Sequence, residues 1–193
     1  TVFVMAQGQQ QRIGHMLGFN GLPAWKQLLK VSEGGETILA RCCRLFREAG
    51  ADVVIPVIHW DSSLVNACMD LSVPFLVQRD PGASVLNGIY NVWKSWGSRT
   101  VIALGDVVYS RATVARMTES KSFEIFERSG QNAVTGNPYP ERFGLSFGRE
   151  SHGALLEVLD RHGFRNHSDH KLIHLKEHLA GHMKVHEISD YTD

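Results

Sequence analysis

Two near-continuous apolar runs, Val53-Val54-Ile55-Pro56-Val57-Ile58 and Thr100-Val101-Ile102-Ala103-Leu104, limit what this chain can fold into more than any other feature. Neither alternates apolar with polar residues, as a strand with one wet face would. Such runs suit strands buried on both faces, which belong to parallel sheets covered by helices. Further strands are expected over 1–6 and 74–78, with those two runs setting strands at 52–58 and 99–104. Helical periodicity fills the gaps. The segment 36–49 places Ile38, Leu39, Cys42, Leu45 and Phe46 on one face and stops at Gly50. A weaker pattern covers 62–71. Residues 84–96 align Val85, Ile89, Val92 and Trp96, with Gly97 behind them.

After Asp106 the pattern is less regular. It predicts a helix over 111–119, a short strand over 122–126 and a Gly-, Asn- and Pro-rich loop over 130–140. A strand over 142–147, helices over 150–162 and 168–179 and a last strand over 185–188 follow. Strands alternating with helices give the class α/β. The expected architecture is a three-layer α/β/α Rossmann-like sandwich with a mostly parallel central sheet, one domain over 1–193. No repeat, low-complexity tract or linker divides it.

Lys+Arg and Asp+Glu balance at 20 each, so net charge offers no footprint for nucleic acid or a membrane surface. Any anion site must be local. The three cysteines are odd in number and two are adjacent, which is a poor disulfide framework and suits a reducing, cytoplasmic setting. No apolar run approaches the roughly 20 residues that span a bilayer. The sequence opens inside a strand pattern with no methionine, so residues are expected to precede it and a targeting segment stays open.

In sheets of this kind ligands gather at the carboxyl ends of the strands. Residues 8–12, 59–61, 78–84 and Asp106 each follow an expected strand. Gly8 lets backbone N–H groups approach an anion closely, and Arg12 can add a bidentate contact. Taken alone, the stretch is equally a polar strand exit. Gln78 to Ser84 is a turn into a helix with Ser84 as its cap, and the same turn offers N–H donors to a ligand. Asp106 puts a carboxylate after a fully apolar strand, with Gly105 permitting close packing. It reads either as a helix cap or as an oxygen ligand for Mg²⁺, which needs one or two carboxylates. Arg149 could meet a phosphate, or pair with Glu150. His170, His174, His178, His182 and His186 recur every fourth residue, after His167. That spacing can bind Zn²⁺ or Ni²⁺ on a helix, yet a plain polar face explains it too, and Gly181 is expected to break the helix before His186.

The order strand, Gly8-x-x-x-Arg12, a gap, Lys26-x-Leu28, then Ile38-Leu39-x-Arg41 in a helix ending Ala49-Gly50-Ala51-Asp52, followed later by Gly105-Asp106, resembles the sugar-nucleotidyltransferase superfamily, MobA-like enzymes included, with its GT-A-like Rossmannoid fold. The resemblance covers 1–110 well and the rest loosely. It implies a nucleotide-binding half over 1–110 and an acceptor-binding half over 111–193. It implies that Ala6, Gln7, Gly8, Gln9 and Gln10 cradle a nucleoside triphosphate with Gln78, Gly82 and Ser84 near the base and ribose. Arg12, Lys26 and Asp106 become the catalytic set, with Mg²⁺ on Asp106 and a late second ligand at Asp190 or Asp193. Arg149 would face the acceptor. The implied partners are a nucleoside triphosphate and a phosphorylated small-molecule acceptor, a sugar 1-phosphate first, with assembly as a homodimer allowed. Two positions depart from the pattern. Gln10 stands where relatives keep a second glycine, and Ala24 and Trp25 separate Pro23 from Lys26. A nucleotide-binding regulator without turnover and a GT-A glycosyltransferase using an NDP-sugar are the other two readings.

Overall fold

The computed structural model describes residues 1–7, 25–31, 34–78, 84–128, 141–161, 172–179 and 181–188. Seven strands form one sheet in the order β3-β2-β1-β4-β6-β5-β7. They are β1 (Val2–Ala6), β2 (Val54–His59), β3 (Leu76–Gln78), β4 (Arg99–Leu104), β5 (Glu124–Arg128), β6 (Glu141–Gly148) and β7 (Lys184–Glu187). β1 pairs in parallel with β2 and β4, β2 with β3, and β5 with β7. β6 runs against both its neighbours, β4 and β5. The α/β class and the mostly parallel sheet are as expected, and among the described strands only β6 is reversed.

The described helices are α1 (Ile38–Glu48), α2 (Ser62–Asp70), α3 (Val85–Asn91), α4 (Arg111–Glu119), α5 (His152–Arg161) and α6 (Leu172–Leu179). They divide between the two faces. Val2, Val4 and Ala6 of β1 pack with Leu39 and Phe46 of α1, Leu64 of α2 and Met117 of α4. The alternate residues, Phe3 and Met5, pack with Leu86 and Ile89 of α3, Leu155 of α5 and Leu175 of α6. Every residue of β1 is buried, because period-two alternation feeds two apolar cores. Each fully buried Leu or Phe contributes about 1.5–3 kcal/mol, so the layers hold the strands firmly and leave their ends to chemistry.

Boundaries move for local reasons. β3 starts at Leu76, since Pro74 has no N–H for a ladder. α3 ends at Asn91 and a 3-10 turn, Trp93–Ser95, replaces its expected last turn. The helix expected from 150 begins as a 3-10 turn, Arg149–Ser151. The strand expected at 122–126 is set two residues later by pairing with β6 and β7. The expected loop at 130–140 lies outside the described residues. Thr37, Asp61, Ser84 and Ser110 cap α1 to α4 with their side chains, and Ser84 completes a capping box with Asn87. All three cysteines are buried and unpaired. Among the described residues no helix is long and apolar enough to cross a membrane.

Candidate active site

Parallel strands deliver their carboxyl ends to one edge, and two residues 80 positions apart meet there. Lys26 Nζ lies 3.2 Å from Asp106 Oδ2. The side chains are 23% and 30% exposed, so the pair stands at the solvent front. Asp106 is placed by β4, whose end is fixed twice. The Gly105 N–H donates to the Met5 carbonyl at 2.9 Å. A Cβ on Gly105 would stand 3.0 Å from the Ala6 Cβ, tighter than ordinary contact, so glycine lets β1 and β4 close together here without adjustment. The Tyr109 hydroxyl lies 3.0 Å from the Leu104 carbonyl and 2.9 Å from that of Phe143, sharing its proton between β4 and β6.

Lys26 begins a 3-10 turn, Lys26–Leu28, behind the buried Trp25. The Trp25 ring lies 5.8 Å from that of His59. The Ser63 side chain, against the opposing effect of burial, and then the Trp25 side chain hold the Asp61 carboxyl below its usual range. The Val31 N–H donates to Glu36 and the Ile38 N–H to Leu29, which ties the turn to the start of α1. Thus α1, β2 and α2 together hold the lysine's backbone. The Pro23-to-Lys26 spacing that departs from the superfamily pattern serves here to insert an anchor, Trp25.

Gln7 leaves β1 buried, and its Nε2 donates to the Ser84 carbonyl at 2.7 Å. A Cβ on Gly88 would meet the Gln7 amide at 2.6–2.7 Å and the Met5 methyl at 2.3 Å. The amide therefore packs against α3 at Gly88, and its Oε1 has no hydrogen-bond partner among the described residues. Gln78 ends β3, with the His59 ring facing its carbonyl at 3.3 Å. A carbonyl only accepts, so Nδ1 of His59 carries the proton there.

The structure therefore brings Ala6, Gln7, Lys26, Gln78, Ser84 and Asp106 to the carboxyl edge. Gly8, Gln9, Gln10, Arg12, Gly82, Asp190 and Asp193 lie outside the described residues. Arg149 is a correction. Gly148 pairs with Arg99 at the beginning of β4, and the Arg149 N–H donates to Ser98 at 3.0 Å. The reversal of β6 carries Arg149 to the amino end of the sheet, away from Asp106. Of the histidine row, His167 and His170 and the side chain of His174 lie outside the description. His186 sits on β7, its ring 5.6 Å from Phe126 and 3.4 Å from the Arg116 guanidinium, so it leaves the helical row as Gly181 foretold. No group of three or more His, Cys, Asp or Glu side chains converges on a metal position among the described residues.

Sequence reasoning missed one cluster at this edge. Glu127 of β5, Arg142 of β6 and Lys176 of α6 form an ion group around a buried carboxylate. Charged residues inside the otherwise apolar strands Glu-Ile-Phe-Glu-Arg and Glu-Arg-Phe-Gly-Leu-Ser-Phe were the available signal.

The profile of the MobA-like NTP transferase domain matches residues 2–171. Rv0371c from Mycobacterium tuberculosis H37Rv is similar in structure, with a TM-score of 0.61 and 22% identity over 99% of this chain and 88% of that one. The same protein has a structure in complex with manganese, at TM-score 0.57 and 21% identity over 97% and 86% of the chains. A putative glucose-1-phosphate thymidylyltransferase from Bacillus anthracis gives 0.65 at 14% identity, over 98% and 87%. The inositol-1-phosphate CTP transferase from T. maritima gives 0.68 at 11%, over 96% and 84%. At such identities the likeness speaks for the fold. No curated protein matches the sequence. The profile runs from β1 through α5 and spans most of the sequence, so this chain belongs to the MobA-like NTP transferase family and is a nucleotidyltransferase.

Proposed function

We propose that the enzyme transfers a nucleoside monophosphate from a nucleoside triphosphate to a phosphorylated small molecule, a sugar 1-phosphate being the first candidate, with release of pyrophosphate. The observation that carries this reading is the Lys26–Asp106 ion pair at the carboxyl end of β4. An acceptor phosphate oxygen attacks the α-phosphorus in line. A new P–O bond forms, the bond to the bridging β-phosphate oxygen breaks, and the electron pair leaves with pyrophosphate.

The donor set fits Mg²⁺. Asp106 offers hard carboxylate oxygens, one of them 3.2 Å from a cation that a phosphate can draw away. A described site with three or more convergent His, Cys, Asp or Glu ligands is not there, whereas Mg²⁺ needs few protein ligands and keeps its waters. When bound, the ion would supply positive charge to the α-phosphate oxygens. Lys26 turns from Asp106 to the phosphates and stabilises charge on the leaving pyrophosphate. Gly8 to Gln11 and Arg12 hold the triphosphate tail in this proposal, and Asp190 or Asp193 completes the metal site. Gln7, Gln78 and Ser84 line the side toward the base. The chain's work is orientation and charge stabilisation, with no covalent nucleophile. We place the enzyme in a reducing, cytoplasmic setting, in keeping with three buried free thiols.

The test is pyrophosphate release over the four triphosphates with a panel of phosphorylated acceptors, with and without Mg²⁺. Release that needs both Mg²⁺ and a phosphorylated acceptor supports the proposal. Nucleotide binding with no release returns the chain to a silent regulator. Release of a nucleoside diphosphate from an NDP-sugar returns it to glycosyl transfer.

A further inference from the structure

A transferase needs a place for its second substrate, and Arg149 stands at the wrong end of the sheet to provide it. The Glu127–Arg142–Lys176 group stands at the right end. Glu127 and Arg142 are cross-strand neighbours at the carboxyl end of β5 and the start of β6. β4 and β6 are paired as far as Ala103 and Gly144, and Tyr109 then bridges the carbonyls of Leu104 and Phe143. Arg142 is the next residue on β6, and Gly105 the next on β4. Arg142 therefore lies just past the closed end of the β4–β6 ladder, at the same edge of the sheet as Asp106.

The charges within the group do not balance. Lys176 Nζ donates to both oxygens of Glu127, at 3.0 and 3.3 Å. Arg142 Nε stands 3.1 Å from Oε2 of the same carboxylate, but without the alignment of a hydrogen bond. Glu127 is 2% exposed and the Arg142 side chain 9%. Two cations thus share one carboxylate, and Arg142 Nε and Nη1 are shut off from water with no hydrogen-bond partner among the described residues. A buried guanidinium without acceptors is costly, and natural folds rarely keep one without use. What the fork lacks is a planar pair of anionic oxygens beside the reaction edge, which a phosphate supplies.

We propose that Arg142 and Lys176, held by Glu127, form the acceptor subsite and take the phosphate dianion of a phosphomonoester. Arg142 grips two phosphate oxygens through its fork, and Lys176, a third exposed, adds a point charge. Glu127 is a positioning residue that keeps both cations in place before the ligand arrives. The inference rests on the nucleotidyl-transfer reading and deepens it, because an acceptor presenting a neutral hydroxyl has no use for this group.

The experiment uses the full chain, Mg²⁺, an α,β-methylene triphosphate analogue to fill the nucleotide side, and methyl phosphate as the acceptor probe in calorimetric titration. Wild type is expected to bind methyl phosphate. Lys176→Met and Arg142→Lys are each expected to weaken it about tenfold or more, with analogue affinity unchanged. Lys176→Met leaves the Arg142–Glu127 contact intact and Arg142→Lys keeps its charge, so both retain a partner for the buried carboxylate. Equal methyl phosphate affinity in wild type and both variants overturns the subsite, as does no binding to wild type. Failure of wild type to bind the analogue instead sinks the transfer reading, and methyl phosphate titrated without nucleotide still decides the subsite.

Discussion

Two ion groups lie at the same edge of one sheet and differ in almost every physical respect. Lys26–Asp106 is a single contact between side chains that water still reaches. Glu127–Arg142–Lys176 has a carboxylate all but sealed from water and a guanidinium nearly so. A pair that water still partly reaches contributes on the order of 1 kcal/mol and separates more readily than one sealed from solvent. A buried carboxylate that loses its partners, or the reverse, costs several times that. In the proposed mechanism the first group is the one a substrate opens, while the second stays assembled and presents its unused donors. On that reading one sheet edge combines a labile charge pair for the nucleotide with a fixed one for the acceptor.

The largest effect that can break this contrast belongs to Asp106→Asn. Pyrophosphate release is expected to fall by about a thousandfold, while circular dichroism and the urea midpoint stay close to wild type. A variant that unfolds, or that keeps its rate, contradicts the labile role. Next comes Glu127→Gln, which should lower unfolding free energy by about 3 kcal/mol in urea by leaving Arg142 buried beside a neutral amide. A loss below the level expected for a surface pair would erase the difference between the two groups. Gly88→Ala sharpens the nucleotide side. Its methyl would meet the mobile ends of the Met5 and Gln7 side chains, a cost that the helical gain from alanine largely offsets, and a crystal structure of the variant should show Gln7 displaced from Ser84.

The smallest effect near neutral pH concerns the cysteines, all of which lie in the first half of the chain. Burial pushes the Cys43 thiol up to about 12 and that of Cys68 to about 11, and raises Cys42 as well. Above about pH 9 the unfolded chain loses thiol protons that the folded chain keeps, so the folded state binds more protons and stability falls as pH rises. Urea unfolding should show a decline that sets in near pH 9, is steepest between about pH 10 and 11, and eases as pH passes the folded values of Cys68 and Cys43. Thiol reagents at pH 8 should leave Cys42 and Cys43 unmodified in the native protein.

What the sequence made legible follows from local physics. Unbroken apolar runs fixed β2 and β4 as doubly buried strands, and the residues just after them fell at the reaction edge. That reasoning placed Asp106 directly, because its strand, its glycine and its carboxylate are consecutive. Lys26 came only through resemblance, since its position depends on Trp25 packing beside His59, far away in sequence. Direction was not legible. Periodicity marks a strand without saying which way it runs, so nothing in the sequence says that β6 carries Arg149 to the amino end of the sheet. The beginning of that strand holds Arg142, the residue we propose for the acceptor. Its partners sit on β5 and α6, and no spacing along the chain announces that they meet.

The pairing of Arg128 with Glu141 has a practical consequence. The chain departs from β5 and rejoins at β6 at the same edge of the sheet, the edge that carries the Lys26–Asp106 pair. A pair of labels at these two positions would therefore report whether this edge of the sheet stays closed when substrate is added, with the rest of the ladder as the fixed reference.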